Sequence, residues 1–130
     1  LITEKFININ KNIILETAGH IEPPNIFQSK NTVISMDCKC PSSKMDNALN
    51  IRNLLKLKNK DQIKFIIDDN NDYLYSKEII KKYKFRAQLI FQPTWGSSIK
   101  LLTEIVLSDN LKVRVLPQLH KDIWGDLKGK

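Results

Sequence analysis

The stretch "DQIKFIIDD", Asp61–Asp69, decides the fold, because a short apolar run stands directly before a polar stop signal. The run Phe65–Ile67 is typical of a strand that is buried on both faces, as the strands of parallel sheets are. The polar segment Asp68–Asn71 ends that strand. Asp72 then has the position and the residue type of a helix N-cap, and the pattern predicts a helix from there through Tyr83.

The same alternation of strand and helix recurs along the chain. Strands are predicted at Asn12–Thr17, Asn31–Lys39, Asp61–Asp69, Ala87–Pro93 and Leu111–His120. Further helices are predicted at Asp46–Lys58 and Ser98–Leu107, and Leu1–Phe6 has the pattern of the tail of a preceding helix. Strands that alternate with helices of this length predict one α/β domain over residues 1–130, with a parallel sheet that is open or barrel-like.

Composition narrows the class of protein. The chain has 130 residues, 42% of them hydrophobic, which predicts a packed core. Its formal charge of +7 comes from lysines that are spread along the chain, so we expect the charge to serve solubility, with no direct nucleic-acid partner. No apolar run approaches the roughly 20 residues of a membrane span, and two cysteines in a lysine-rich chain predict a reducing, cytoplasmic setting. A non-catalytic α/β binding or RNA-associated module stays open as the alternative to an enzyme.

Two cysteines lie close together in "SMDCKCPSSKM", Ser35–Met45. A structural zinc or iron–sulfur site needs four ligands as a rule, and Cys38 and Cys40 supply only two. In an extended strand, their side chains are also too far apart for a relaxed disulfide. We therefore expect two reduced thiols and no metal ligand in this chain.

Every predicted strand ends in polar residues. These ends are Glu16-Thr17, Asp37-Cys38-Lys39, Asp68-Asp69, Gln92-Pro93-Thr94 and Gln118-Leu119-His120. Ligands of parallel α/β folds bind at the carboxyl ends of the strands, so the five ends predict one concave rim. Glu16, Lys39, Gln92 and His120 are expected to open toward one pocket, although each taken singly also has an ordinary structural explanation.

The strand-end segments carry a resemblance to a known family. They read "LETAGH", "SMDCKCPSSKM", "IKFIIDD", "FQPTWG" and "VRVLPQLHKDIWG" in chain order. Together they resemble the carboxyl-terminal half of the 7-carboxy-7-deazaguanine synthases, which are radical S-adenosylmethionine enzymes. The resemblance extends over nearly the whole chain. The K-x-P-S-S stretch, Lys39–Ser43, and the closing segment are quite specific, whereas Glu-Thr-x-Gly alone is shared by many radical enzymes.

The resemblance implies the second half of an incomplete (β/α) barrel, a partial TIM barrel. It implies a lyase that converts 6-carboxy-5,6,7,8-tetrahydropterin to 7-carboxy-7-deazaguanine, for queuosine or archaeosine biosynthesis and hence tRNA modification. Family members use S-adenosylmethionine, a [4Fe–4S] cluster and magnesium, and act as homodimers. The family's C-x-x-x-C-x-x-C and Gly-Gly-Glu-Pro segments do not occur in this chain, so the chain alone is expected to be inactive.

The resemblance also implies which residues contact ligands. The residues expected to bind S-adenosylmethionine are Glu16, Asp37, Cys38, Lys39, Gln92, Pro93, Thr94 and Trp95. Those expected near the pterin substrate are Thr17, Gln118 and His120. Lys39 is the principal candidate, because an ammonium at the rim can bind the carboxylate or the ribose oxygens of the cofactor. No catalytic residue is assigned.

Overall fold

Five parallel strands lie side by side in the order in which they occur along the chain, in a computed structural model that describes residues 2–45, 50–125 and 127. They are β1 Ile13–Thr17, β2 Thr32–Cys38, β3 Gln62–Ile67, β4 Gln88–Pro93 and β5 Arg114–Val115. All four neighbouring pairs are parallel, which confirms the predicted α/β class. A sheet in which each connection advances by one strand is the arrangement of a barrel segment.

Helices connect and flank the strands. They are α1 Ile2–Asn8, α2 Ile51–Lys56, α3 Asn70–Lys82, α4 Ile99–Ser108 and α5 Leu119–Trp124, with short 3-10 turns at Asn25–Gln28 and Pro41–Ser43. Tyr73 of α3 packs edge-on against Phe91, with 5.9 Å between ring centroids, and Phe91 does the same with Phe65 at 5.5 Å. Leu102 of α4 belongs to the same buried cluster, so α3 and α4 cover one face of the sheet.

The two faces of the sheet differ in chemistry because side chains alternate along each strand. Met36, Phe65 and Phe91 point to the helix-covered side and are 0% exposed. The residues between them point to the opposite side and are largely polar. On that side Asp37 lies beside Lys64 in register, and Ile66 lies beside Gln92. The fold therefore presents a polar sheet face that ends at the carboxyl edge of the strands.

A buried carboxylate fixes the other edge of the sheet. Asp61 is 2% exposed and stands just before β3. Its Oδ1 accepts a hydrogen bond from the Ile34 amide at 2.9 Å, and its Oδ2 accepts one from the Lys58 amide at 2.8 Å. Asp61 thus joins β2 to the chain that enters β3.

Two predicted helix starts differ from the observed ones. Asp69 is the N-cap of α3 and accepts from the Asp72 amide at 2.9 Å, whereas Asp72 lies inside the first turn. The prediction of Asp72 as the cap was wrong because both aspartates fit the residue preference, and only the backbone turn distinguishes them. Helix α2 begins at Ile51, and the earlier part of the predicted helix, 46–49, lies outside the described residues.

The fifth strand is much shorter than the predicted Leu111–His120. The Leu116 amide makes a last hydrogen bond to the Phe91 carbonyl at 3.1 Å, and Pro117 has no amide to continue the pairing. The Gln118 carbonyl then accepts from the Lys121 amide at 2.8 Å, which starts α5. His120 therefore lies on a helix and not at a strand end.

Both cysteines are free thiols in the core. Cys38 is 0% exposed and Cys40 is 1% exposed. Burial, with smaller contributions from Cys40 and Asp37, raises the pKa of the Cys38 thiol well above its ordinary value. Such a thiol is a poor nucleophile, because the thiolate is the reactive form.

We predict that neither thiol reacts with an alkylating reagent while the chain is folded, and that both react after denaturation. Mass spectrometry after timed exposure to iodoacetamide measures this. Stoichiometric labelling of Cys38 under native conditions would contradict the burial described above.

A second prediction concerns Asp61. Replacement by Ala leaves the Ile34 and Lys58 amides without their acceptor, so the free energy of unfolding should fall by about 2 to 3 kcal/mol. Urea denaturation measures the change. Glu78→Gln, on the exposed side of α3, is the control and should leave stability nearly unchanged. An Asp61→Ala chain as stable as the control would show that water replaces the carboxylate.

Candidate functional site

An open hollow of about 290 Å³ lies where β2, β3 and β4 end. Its lining residues come from the three strand-end segments: Lys39, Cys40, Ser42, Ser43, Ile66, Asp68 and Thr94. The parallel strands all finish at this edge, so the chain must turn here three times and leave polar groups around a common space. We call this the main hollow.

Lys39 stands at the end of a row of alternating charges. Its Nζ donates to Asp37 Oδ2 at 3.0 Å. The other oxygen of Asp37 is 3.5 Å from Lys64 Nζ, and Lys64 Nζ is 3.3 Å from Glu16 Oε1. Each charge thus has an opposite neighbour, and the row crosses β1, β2 and β3 on the polar face of the sheet. The pairing holds the Lys39 ammonium at the rim in a defined direction.

The loop after β4 forms the opposite wall of the main hollow. Thr94 Oγ1 donates to Asp68 Oδ1 at 2.5 Å and is 3.0 Å from Ser97 Oγ. The Thr94 amide also donates to the Ile67 carbonyl at 3.0 Å, which continues the pairing of β4 with β3 for one residue beyond the strand. Both the backbone and the side chain of Thr94 are therefore fixed.

A second, smaller hollow of about 80 Å³ lies on the other side of Thr94. Trp95, Pro117 and Gln118 are among its lining residues, and Trp95 is 56% exposed. Gln92 Nε2 donates to the Pro117 carbonyl at 2.7 Å, so the segment after β5 is attached to the end of β4. A charged hollow and an aromatic one thus share the Thr94 loop as a wall.

The structure brings together only some of the residues expected around one pocket. Of Glu16, Lys39, Gln92 and His120, Lys39 alone lines the main hollow. Glu16 reaches Lys39 only through Lys64 and Asp37, and the Gln92 amide is engaged with Pro117. His120 is exposed on α5 and lines neither hollow. The single shared pocket was therefore wrong in that form: Glu16 and Gln92 are engaged with Lys64 and Pro117, and His120 lies on α5 because β5 ends early.

Three other expected residues are placed as follows. The Cys38 side chain points into the core, so a ligand at the rim can meet only its backbone. Pro93 lines the smaller hollow. Thr17 Oγ1 accepts from the Gly19 amide at 3.1 Å and shapes its own loop.

Sequence reasoning assigned no role in the site to three residues that build it. Lys64 holds the row of charges together, and its signal was a lysine inside an otherwise apolar strand. Ser42 lines the main hollow and lies in the quoted Pro-Ser-Ser segment. Asp72 binds Ser42, but its helix-start position suggested a cap instead.

The donor side chains of the described residues do not form a metal site. Across residues 2–45, 50–125 and 127, no three His, Cys, Asp or Glu side chains are grouped in a way that could hold a metal ion. Within the same residues, no helix is long and apolar enough to cross a membrane.

Comparison with known proteins identifies relatives of this chain. It is 35% identical over 123 residues to a 7-carboxy-7-deazaguanine synthase of Thermoplasma acidophilum, covering 95% of this chain and 59% of that protein. It is 30% identical over 122 residues to the synthase of Methanospirillum hungatei, with 94% and 50% coverage. It is 38% identical over 103 residues to that of Leptospira interrogans, with 75% and 44% coverage.

The chain spans about half the length of the curated relatives that it matches. No family profile matches the sequence. No solved structure matches it either. The predicted resemblance is confirmed: over nearly its whole length, the chain is a homologue of part of the 7-carboxy-7-deazaguanine synthases.

Proposed function

We propose that this chain supplies the S-adenosylmethionine-binding wall of a 7-carboxy-7-deazaguanine synthase, a radical lyase that acts on a carboxylated tetrahydropterin. The single observation that carries the proposal is the main hollow, which Lys39 and Thr94 both line. Both residues belong to segments through which the sequence resembles the synthases. The pathway would be deazapurine biosynthesis for tRNA modification, and the complete enzyme would act as a homodimer.

The two hollows suit the two halves of a nucleoside cofactor. S-adenosylmethionine carries charged groups at one end and a flat purine at the other. The main hollow offers an ammonium, a carboxylate and hydroxyl groups, whereas the smaller one offers the exposed Trp95 ring. An aromatic ring can stack on a purine and exclude water from it.

The Lys39–Asp37 pair suits the ribose, which lies in the middle of S-adenosylmethionine. The carboxylate of Asp37 accepts hydrogen bonds and the ammonium of Lys39 donates them, and the two are already 3.0 Å apart. Two neighbouring ribose hydroxyls can each donate and accept a hydrogen bond. They can therefore bind both Lys39 and Asp37 without adding net charge. A cofactor carboxylate would instead have to compete with Asp37 for Lys39.

The iron–sulfur cluster and magnesium do not fit the described residues. The two thiols are buried on the helix-covered side of the sheet, and the described part of the chain groups no three ligating side chains. When bound in the complete enzyme, the cluster and S-adenosylmethionine would supply the radical chemistry.

The contribution of this chain would be placement. Enzymes of this kind gain from holding substrate and cofactor in a fixed geometry and from excluding water. The row from Glu16 to Lys39 and the Asp68–Thr94 hydrogen bond restrict two walls of the hollow before any ligand arrives. Gln118, on the edge of the smaller hollow, is the residue best placed to extend the site toward a pterin.

We predict that Lys39→Ala weakens S-adenosylmethionine binding by about 1 to 3 kcal/mol in the complete protein that contains this segment, because a charged hydrogen bond loses one partner. Anaerobic equilibrium binding after cluster reconstitution measures the affinity. Reductive cleavage of S-adenosylmethionine, with and without the pterin, is the second readout.

Lys56→Ala is the matched control, because Lys56 pairs with Glu22 on the surface and lines neither hollow. The Lys56→Ala protein should bind S-adenosylmethionine as tightly as the wild type does. Equal affinity of the Lys39→Ala protein would show that Lys39 does not bind the cofactor. A coding sequence upstream of Leu1 without a C-x-x-x-C-x-x-C segment would favour the non-catalytic binding module instead.

A further inference from the structure

Asp72 is a fully buried carboxylate that holds three donors from two loops. Its Oδ1 accepts from the Ser42 amide at 2.9 Å. Its Oδ2 accepts from the Ser42 hydroxyl at 2.5 Å and from the Asp68 amide at 3.0 Å. The residue is 0% exposed, so water does not compete with these hydrogen bonds.

Capping of α3 does not account for this arrangement. Asp69 already caps the helix by accepting from the Asp72 amide. The donors to the Asp72 carboxylate all come from outside α3, namely from the loop after β2 and the turn after β3. Besides lying in the first turn of α3, the carboxylate therefore connects the loop after β2 to the turn after β3.

The residues that it connects are walls of the main hollow. Ser42 and Asp68 both line that hollow. Asp68 in turn accepts from Thr94 Oγ1, so the chain of hydrogen bonds from Ser42 through Asp72 and Asp68 reaches the loop after β4. One buried side chain thus links the ends of β2, β3 and β4.

We propose that Asp72 is a positioning residue that sets the shape of the cofactor-binding hollow by fixing Ser42 and Asp68. The proposal rests on the proposed function, because it assigns the hollow to S-adenosylmethionine. Asp72 itself does not line the hollow and acts only through the residues that it holds.

Asp72→Asn tests the proposal. The amide of asparagine keeps one acceptor oxygen but replaces the other with a donor, so at least one of the three hydrogen bonds is lost. We expect the affinity of the complete protein for S-adenosylmethionine to fall about tenfold, in line with the loss of one hydrogen bond to a charged group. Steady-state kinetics should show a higher KM for S-adenosylmethionine with little change in kcat.

Asp61→Asn is the matched comparison. Asp61 is equally a buried carboxylate that accepts from two backbone amides, but it stands at the opposite edge of the sheet. Asp61→Asn should lower stability without changing the affinity. Hydrogen exchange of the unliganded chain gives a readout that needs no cofactor: in Asp72→Asn, the Ser42 and Asp68 amides should exchange faster, selectively.

Ser42→Ala removes only the hydroxyl donor from an exposed position and serves if Asp72→Asn does not fold. It should weaken binding in the same direction. The positioning role is overturned if the Asp72→Asn protein, or the Ser42→Ala protein in its place, binds S-adenosylmethionine as tightly as the wild type. It is also overturned if that protein binds no more weakly than the Asp61→Asn protein. A concurrent loss of affinity in Lys39→Ala would then leave the proposed function standing, whereas unchanged binding in Lys39→Ala as well would overturn both.

Discussion

The parallel pairing of five strands in chain order determines where the loops, the helices and the hollows lie. Because each strand runs in the same direction as its neighbour, every carboxyl end falls on one edge. Side-chain contacts stabilise the strand pairing on one face of the sheet and at the edge opposite the carboxyl ends. The Phe65–Phe91–Tyr73 contacts fix the helices to one face, and the buried Asp61 fixes the opposite edge. The loops at the carboxyl edge are therefore free to carry polar groups.

The polar face of the sheet follows from the same constraint. Alternation along a strand sends Met36 of β2 and Phe65 of β3 to the helices and leaves Asp37 and Lys64 on the other side. Adjacent parallel strands in register then place opposite charges next to each other. The row that ends at Lys39 is electrostatically balanced, so it can face a ligand without an uncompensated charge.

The sequence predicted the strands and their direction well, because apolar runs such as Phe65–Ile67 reflect burial on both faces. It overestimated β5, since the residue pattern continues past Pro117 while the hydrogen bonding does not. It placed Lys39 and Thr94 near each other correctly, because both follow strands that end at one edge. The role of Asp72 could not be read from the chain, since its partner Ser42 is 30 residues away and only the folded loops bring them together.

Hydrogen exchange of the complete protein with and without S-adenosylmethionine tests whether the main hollow binds this cofactor. Amide exchange reports each loop separately, so it locates the cofactor without requiring turnover. We expect the cofactor to slow exchange in residues 39–43 and 94–97, the two loops that form the walls of the main hollow. Slowed exchange elsewhere in the chain, with no change in these two loops, would contradict this expectation.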